Sequence, residues 1–126
     1  MKSNINMTNG VVKSGEFNYV RQQRTLKAYG KEYSIPVRTV EFADKLEAVS
    51  KEMGQTTTTA DTIAKICEGI MLFIGAEETD RLFPADKLQE IDVDEIMAFW
   101  QALNFELQRN QQELIAKYRP APNIRK

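Results

Sequence analysis

The stretch DVDEIMAFWQALNFELQRNQQELIAKY, residues 92–118, decides the fold predicted for this chain. Its apolar residues recur at alternating spacings of three and four, the repeat of a helix that buries one side along a packed seam. Asp92 with Glu95 three residues later is an N-terminal capping pattern, and two prolines shortly after Tyr118 end the helix. A helix of this length spans about 40 Å, so part of it should project from a small domain. The seam consists of Val93, Ile96, Trp100, Leu103, Leu107, Asn110 and Leu114.

Part of this seam is the predicted protein interface. An amide at a seam position, here Asn110, costs stability when buried but fixes register and partner number. Beside the seam lie Met97, Phe99 and Ile115. They give the helix more apolar surface than one neighbouring helix would cover. We therefore predict a homo-oligomer, and the alternative is a long core helix of a monomeric bundle with Asn110 solvated. The predicted interface residues are Trp100, Leu103, Leu107, Asn110 and Leu114.

Upstream of this stretch, the pattern predicts two further helices and a short third one. Thr39 caps a helix that ends at Gly54. The next helix runs from near Ala60 to Gly75, and its apolar residues cover much of the circumference, which predicts the central, most buried helix. A short acidic helix follows over residues 76–83. The apolar residues of the central helix are Ile63, Ile66, Cys67, Ile70, Met71, Phe73 and Ile74.

A β-hairpin is predicted ahead of the helices. Strand-forming residues alternate on both sides of Gly30-Lys31, and Pro36 should end the second strand because it lacks an amide donor. The fold class is therefore mainly α, a small helical domain of three to four helices with an N-terminal β-hairpin and a long C-terminal helix. We expect one domain over residues 1–126. It divides into a mobile arm (1–16), the hairpin (25–38), a helical core (39–118) and a tail (119–126).

Composition argues against several classes of function. The 126 residues include no histidine and one cysteine, Cys67, which excludes an internal disulfide and leaves the usual zinc sites without ligands. A serine or cysteine nucleophile would lack its commonest activator. No enzyme activity, metal or cofactor is therefore predicted. The polar start of the sequence and the lack of a long apolar run predict a cytoplasmic protein without a signal peptide or membrane span.

Two alternative functions rest on charged clusters. The acidic residues within 77–80 and 92–95 could hold Mg²⁺, but both clusters open predicted helices, where the helix dipole already favours carboxylates. Basic and aromatic residues interleaved around the hairpin could bind a single-stranded nucleic acid, although a sequence pI of about 5.6 opposes it. These residues are Arg21, Arg24, Lys27, Lys31 and Arg38, with Tyr19, Tyr29 and Tyr33.

Charge is segregated along the chain. Residues 1–38 carry seven Lys and Arg against two Asp and Glu, residues 39–97 five against fourteen, and residues 98–126 five against two. The three blocks thus have net charges of +5, −9 and +3. This polarity suits head-to-tail or charge-steered association, in which it mainly affects encounter rate and partner choice. The alternative is ordinary helix-end and solubility bias.

The order of these elements resembles the small tail assembly chaperones of long-tailed (siphovirus-like) phages and prophages. The resemblance covers residues 25–118 and rests on TLKAYGKEYSIPV (25–37), on ICEGIMLFIGAEETDRLFP (66–84) and on the closing long helix. It implies a non-enzymatic protein of the bacterial host cytoplasm that oligomerises and binds tape-measure or tail-tube proteins during tail morphogenesis. The family has no catalytic residues to transfer. The alternatives are a small oligomeric helical protein-interaction module and a nucleic-acid-binding phage accessory protein.

Overall fold

The computed structural model describes residues 15–20 and 23–118. The fold is mainly helical with an N-terminal hairpin and a long C-terminal helix, which confirms the predicted fold class. Most of the predicted arm and the whole predicted tail lie outside the described residues. In chain order the elements are β1 (Thr25–Ala28), β2 (Lys31–Ser34), α1 (Val40–Met53), α2 (Thr59–Ile74), α3 (Ala76–Leu82), a 3₁₀ segment (Ala85–Glu90) and α4 (Val93–Tyr118).

The hairpin turns one residue earlier than the sequence pattern predicted. Tyr29 and Gly30 form the turn, with φ of 55° and 73°, and Lys31 already belongs to β2. Positive φ at both positions is the geometry of a two-residue loop whose twist matches that of the strands. The resulting register pairs Leu26 with Tyr33, so both side chains lie on the face that packs against the helices. A turn at Gly30-Lys31 would have lost this pairing.

Helix α2 is the centre of the molecule, as predicted. It packs against α1, α3, α4, the 3₁₀ segment and β2. Two members of the predicted set, Met71 and Ile74, are not fully buried, because they lie on the sides that these neighbours leave partly open. Its buried residues are Ile63, Ile66, Cys67, Gly69, Ile70 and Phe73.

Side-chain caps fix where the three longer helices begin. Thr39, Thr58 and Asp92 each accept a hydrogen bond from the backbone N–H three residues further on, at 3.0, 3.1 and 3.2 Å. Each contact satisfies a backbone donor that has no partner within the helix. Glu95 does not reach back to complete a capping box. Its carboxylate instead accepts a hydrogen bond from the Tyr29 hydroxyl at 2.8 Å and so ties the hairpin turn to α4.

The buried stripe of α4 is wider than the predicted seam. Phe99, which the spacing placed beside the seam, is buried and packs edge-on against Tyr29 and Tyr33 of the hairpin. The last fully buried residue of α4 is Leu107, so the final three turns extend beyond the core. The described arm, residues 15–20, lies against the end of this extension, where the Val20 N–H donates to the Tyr118 hydroxyl at 2.8 Å.

Trp100 belongs to the predicted seam but is not fully buried. Its indole is partly exposed at the edge of the contact between α2 and α4. The ring lies directly over Gly69 of α2, where a Cβ atom would overlap Trp100 Cη2 and Cζ3. Phe73 of α2 also contacts the indole, and its ring meets it edge-on at a centroid distance of 5.9 Å.

A carboxylate of α3 anchors the hairpin. Glu78 accepts hydrogen bonds from Arg81 Nη2 at 2.8 Å, from the Tyr33 hydroxyl at 2.8 Å and from Lys31 Nζ at 3.0 Å. These donors, Arg81 foremost, lower the pKa of Glu78 from 4.5 to about 2. Because the two hairpin donors lie on β2, the carboxylate holds β2 against α3.

Glu78 should make the stability of the chain pH-dependent. A carboxylate whose pKa is lower in the folded state stabilises that state above its unfolded pKa, and the contribution disappears as the pH falls through the folded pKa. We therefore expect Glu78→Gln to lower the melting temperature at neutral pH, and the difference from the wild type to shrink between pH 4.5 and about 2. Thermal melts by circular dichroism across this range measure it.

The matched control is Glu77→Gln, which removes the adjacent exposed carboxylate of the same helix turn. This variant should melt like the wild type at neutral pH. A Glu78→Gln variant whose deficit is the same at both ends of the pH range would contradict the anchoring role.

Candidate protein-interaction groove

A groove runs between α1 and α4, both of which pack against α2. One part, of about 400 Å³, lies along α1 and reaches Asn104 of α4. The other part, of about 220 Å³, lies between Val37, Tyr19 and the end of α4. Arg38 lines both parts, so they adjoin at its side chain, and the two together are called the groove. The remaining lining residues are Ala43, Asp44, Leu46, Glu47, Ser50, Leu107, Asn110, Gln111 and Leu114.

The groove combines an apolar interior with a polar margin. Leu107 is fully buried beneath it, Leu46 and Leu114 are half-buried, and Val37 is exposed. Charged and amide side chains surround these apolar groups. This composition, an apolar centre with a polar rim, is that of surfaces that bind other proteins. The exposed polar residues of the lining are Arg38, Asp44, Glu47 and Gln111, whereas Asn104 and Asn110 are half-buried.

Helix α1 forms one wall of the groove and is only partly buried. None of its 14 residues is fully buried, although Phe42, Leu46 and Met53 pack partly against the core. Phe42 meets Phe73 of α2 edge-on at a centroid distance of 5.5 Å. Half-covered leucine and alanine side chains on α1 therefore remain available for a further contact on the groove side.

The fold places the predicted interface residues in different environments, some in the core and some at the groove. Leu103 and Leu107 belong to the core of the chain itself, and of the two only Leu107 borders the groove. Trp100 lies half-buried over Gly69. Asn110 and Leu114 are half-buried and line the groove together with one edge of Leu107. Only the last part of the predicted set thus borders a surface open to a partner, and its contact with a partner stays a prediction.

The α1 side of the groove was not predicted from the sequence. Ala43, Leu46 and Ser50 recur at spacings of three and four along α1, and Leu46 also packs partly against the core. Small side chains on either side of a leucine are a signal of close approach by another helix. That signal was present in the sequence, but nothing in it showed that α4 lies opposite.

The residues proposed for nucleic-acid binding are largely engaged within the fold. Tyr33 is buried, and its hydroxyl donates to Glu78, so its ring offers no stacking face. The guanidinium of Arg24 forms ion pairs with Glu106 and Glu113 of α4. Arg21 lies outside the described residues. Tyr19 and Tyr29 keep partly exposed rings, so stacking of a single strand on this surface stays a prediction.

The acidic clusters and the cysteine serve structural roles in the described part of the chain. Within residues 15–20 and 23–118, no group of three or more His, Cys, Asp and Glu side chains could hold a metal ion. Asp92 caps α4, and Asp80 accepts a hydrogen bond from the Ala85 N–H at 3.1 Å. Burial raises the pKa of the Cys67 thiol, the opposite of what activates a cysteine nucleophile. Among the described helices, none has the length and apolar content to cross a membrane.

Comparison with known proteins returns no relative. No protein-family model, curated protein or solved structure matches this chain. Inference about function therefore rests on the groove, the packing of α1 and the distribution of charge.

Proposed function

We propose that this chain is a non-enzymatic protein-binding protein that holds a helix of another protein in the groove between α1 and α4. The observation that carries the proposal is the groove itself, an apolar interior with a polar rim between two helices. Amphipathic helices bind in such grooves by placing apolar residues of one face along the interior. The partly buried α1 wall leaves apolar surface for that helix to cover.

Within this class, we propose a tail assembly chaperone of a long-tailed phage or prophage, acting in the host cytoplasm. Its clients would be tape-measure or tail-tube proteins before they are incorporated into a tail. Support comes from the order of elements, with a hairpin, a central apolar helix, a short acidic helix and a long closing helix. The proposal assigns no catalytic residue, metal or cofactor. A helical interaction module with a different client would use the same groove.

Co-expression tests the client. The chain should be produced together with the tape-measure protein or the tail-tube protein of the same locus, and the soluble fraction and co-purification of each scored against expression alone. We expect at least one of them to become soluble and to co-purify. If both stay insoluble and neither is retained, the phage assignment is wrong, and a general interaction module remains.

A charge in the groove should weaken client binding. Leu114→Glu places a carboxylate among apolar side chains, and burying it unpaired under a bound helix is costly. We expect the Kd for the client to rise by at least about tenfold, equivalent to about 1.4 kcal/mol. Isothermal titration calorimetry with the purified client measures the change.

Ile115→Glu is the matched control, since it makes the same change one residue along α4, at an exposed position that does not line the groove. Its Kd should remain that of the wild type. Equal binding by both variants would place the client elsewhere on the chain. Circular dichroism should show unchanged helix content in both, because neither position is fully buried.

A further inference from the structure

The charged residues that line the groove are unevenly distributed along it. The part along α1 carries two carboxylates, those of Asp44 and Glu47. Arg38 lies where the two parts adjoin, and the remaining lining of the part beside the end of α4 is uncharged. From the α1 part through Arg38 to the end of α4, the lining therefore carries formal charges of −2, +1 and 0.

The two carboxylates of the groove have no cationic partner in the described chain. The other two acidic residues of α1 each form an ion pair with a lysine, at 3.3 and 3.0 Å. Within residues 15–20 and 23–118, by contrast, the carboxylates of Asp44 and Glu47 form neither an ion pair nor a hydrogen bond, and both residues are exposed. Their negative charge is therefore free to act on a bound partner.

The positions of these carboxylates suit basic side chains of a partner. Asp44 and Glu47 are three residues apart, so they are neighbours on the surface of α1. The apolar side chains of Ala43 and Leu46 line the same part of the groove. Lysine and arginine have apolar stems that can cover such a surface while the charged end stays at the polar margin. Acidic side chains in the same place would meet like charges, which is unfavourable at an interface.

We propose that the helix held in the groove carries lysine or arginine on the flank that lies along α1, and acidic or amide residues where it crosses Arg38. The inference rests on the proposed function, because it describes the partner of the same groove. It also gives the bound helix a direction, since only one direction places its basic residues on the α1 side.

Two synthetic amphipathic peptides test the chemistry of the partner. Both carry the same leucine face with glutamine elsewhere, but one has two lysines near one end and the other has two glutamates at the same positions. We expect the wild type to bind the lysine peptide about tenfold more tightly at about 0.1 M salt, because two exposed ion pairs replace two repulsive contacts. Fluorescence anisotropy of labelled peptides measures both Kd values. At about 1 M salt the difference should disappear, since the Debye length falls to about 3 Å.

Neutral variants show which carboxylates cause the preference. The double variant Asp44→Asn with Glu47→Gln should bind both peptides with the same Kd. Its matched control, Glu77→Gln with Glu90→Gln, changes the net charge equally at two exposed positions outside the groove and should keep the preference. Leu114→Glu should weaken the binding of both peptides, because both lie in the groove. Circular dichroism should show unchanged helix content in the neutral variants, and the salt dependence of the wild type needs no variant.

The outcomes separate this inference from the proposed function. Equal Kd values for the two peptides in the wild type, with both weakened by Leu114→Glu, would overturn the basic flank and leave the groove as a site for helices. If neither peptide bound, or if Leu114→Glu changed neither Kd, the proposed function would fall together with this inference. Self-association of the wild type in sedimentation velocity that Leu114→Glu abolishes would assign the groove to a second copy of the chain, and the inference would then be wrong.

Discussion

Replacing Phe73 with alanine is expected to lower the free energy of unfolding by about 3–5 kcal/mol. Phe73 is 6% exposed and lies between Phe42 and Trp100, which it meets edge-on at 5.5 and 5.9 Å. Its removal leaves a cavity that two aromatic neighbours cannot fill without moving. Small domains have roughly 5–15 kcal/mol of stability in total, so this loss is a large fraction. Urea denaturation followed by tryptophan fluorescence measures it.

Phe105→Ala is the control for this experiment, because the phenylalanine is 55% exposed on the outer side of α4. Exposed positions of this kind usually change stability by no more than about 0.5 kcal/mol. If Phe73→Ala cost less than about 1 kcal/mol, Phe73 would not be part of a closely packed core, and the central position of α2 would be wrong.

Gly69→Ala is expected to destabilise the chain even though alanine is the better helix former. In a helix interior the exchange gains about 1 kcal/mol of intrinsic propensity. At this position the new Cβ would overlap the Trp100 ring, so the indole must move away from α2. Overpacking of this kind costs about 1–3 kcal/mol, and we expect a net loss. The same denaturation assay, followed by far-ultraviolet circular dichroism, measures the change.

A double-mutant cycle tests whether contact with Trp100 causes the loss of stability in Gly69→Ala. In a Trp100→Leu background the ring is gone, so Gly69→Ala should become neutral or stabilising. Gly54→Ala serves as a control, because Gly54 has an ordinary helical φ of −70° and only a normal contact of 3.5 Å from the added Cβ to the Lys51 carbonyl oxygen. A stabilising effect of Gly69→Ala in the wild type would contradict the packing of Trp100 on Gly69.

Local signals predicted the helices well. The capping residues Thr39 and Asp92 and the apolar circumference of α2 act within a few residues of each other, and the structure places these elements as expected. The contact of Gly69 with Trp100 was not predictable in this way. A glycine has no side chain to join a periodic pattern, and its partner lies on a helix far along the chain.

The candidate site was predictable only in part. A repeat of apolar residues at spacings of three and four does not show which neighbour covers the apolar face. The same spacing describes a helix that packs within its own chain and one that packs against another subunit. Leu103 is buried within the core of its own chain, whereas Leu114 borders the groove. The groove depends on α1 lying beside α4, and that arrangement follows from how both pack on α2.

Helix α4 follows the other described elements along the chain, and this order has a consequence for synthesis. The hairpin, α1, α2 and α3 leave the ribosome first, and the contacts among α1, α2 and α3 lie between neighbours in sequence. Ile96, Phe99 and Leu103, which complete the core around α2, emerge only afterwards. Until then the apolar face of α2 has no permanent cover, and nascent chains with exposed apolar surface are prone to aggregate. Translation of α4 is therefore the step that completes the core around α2.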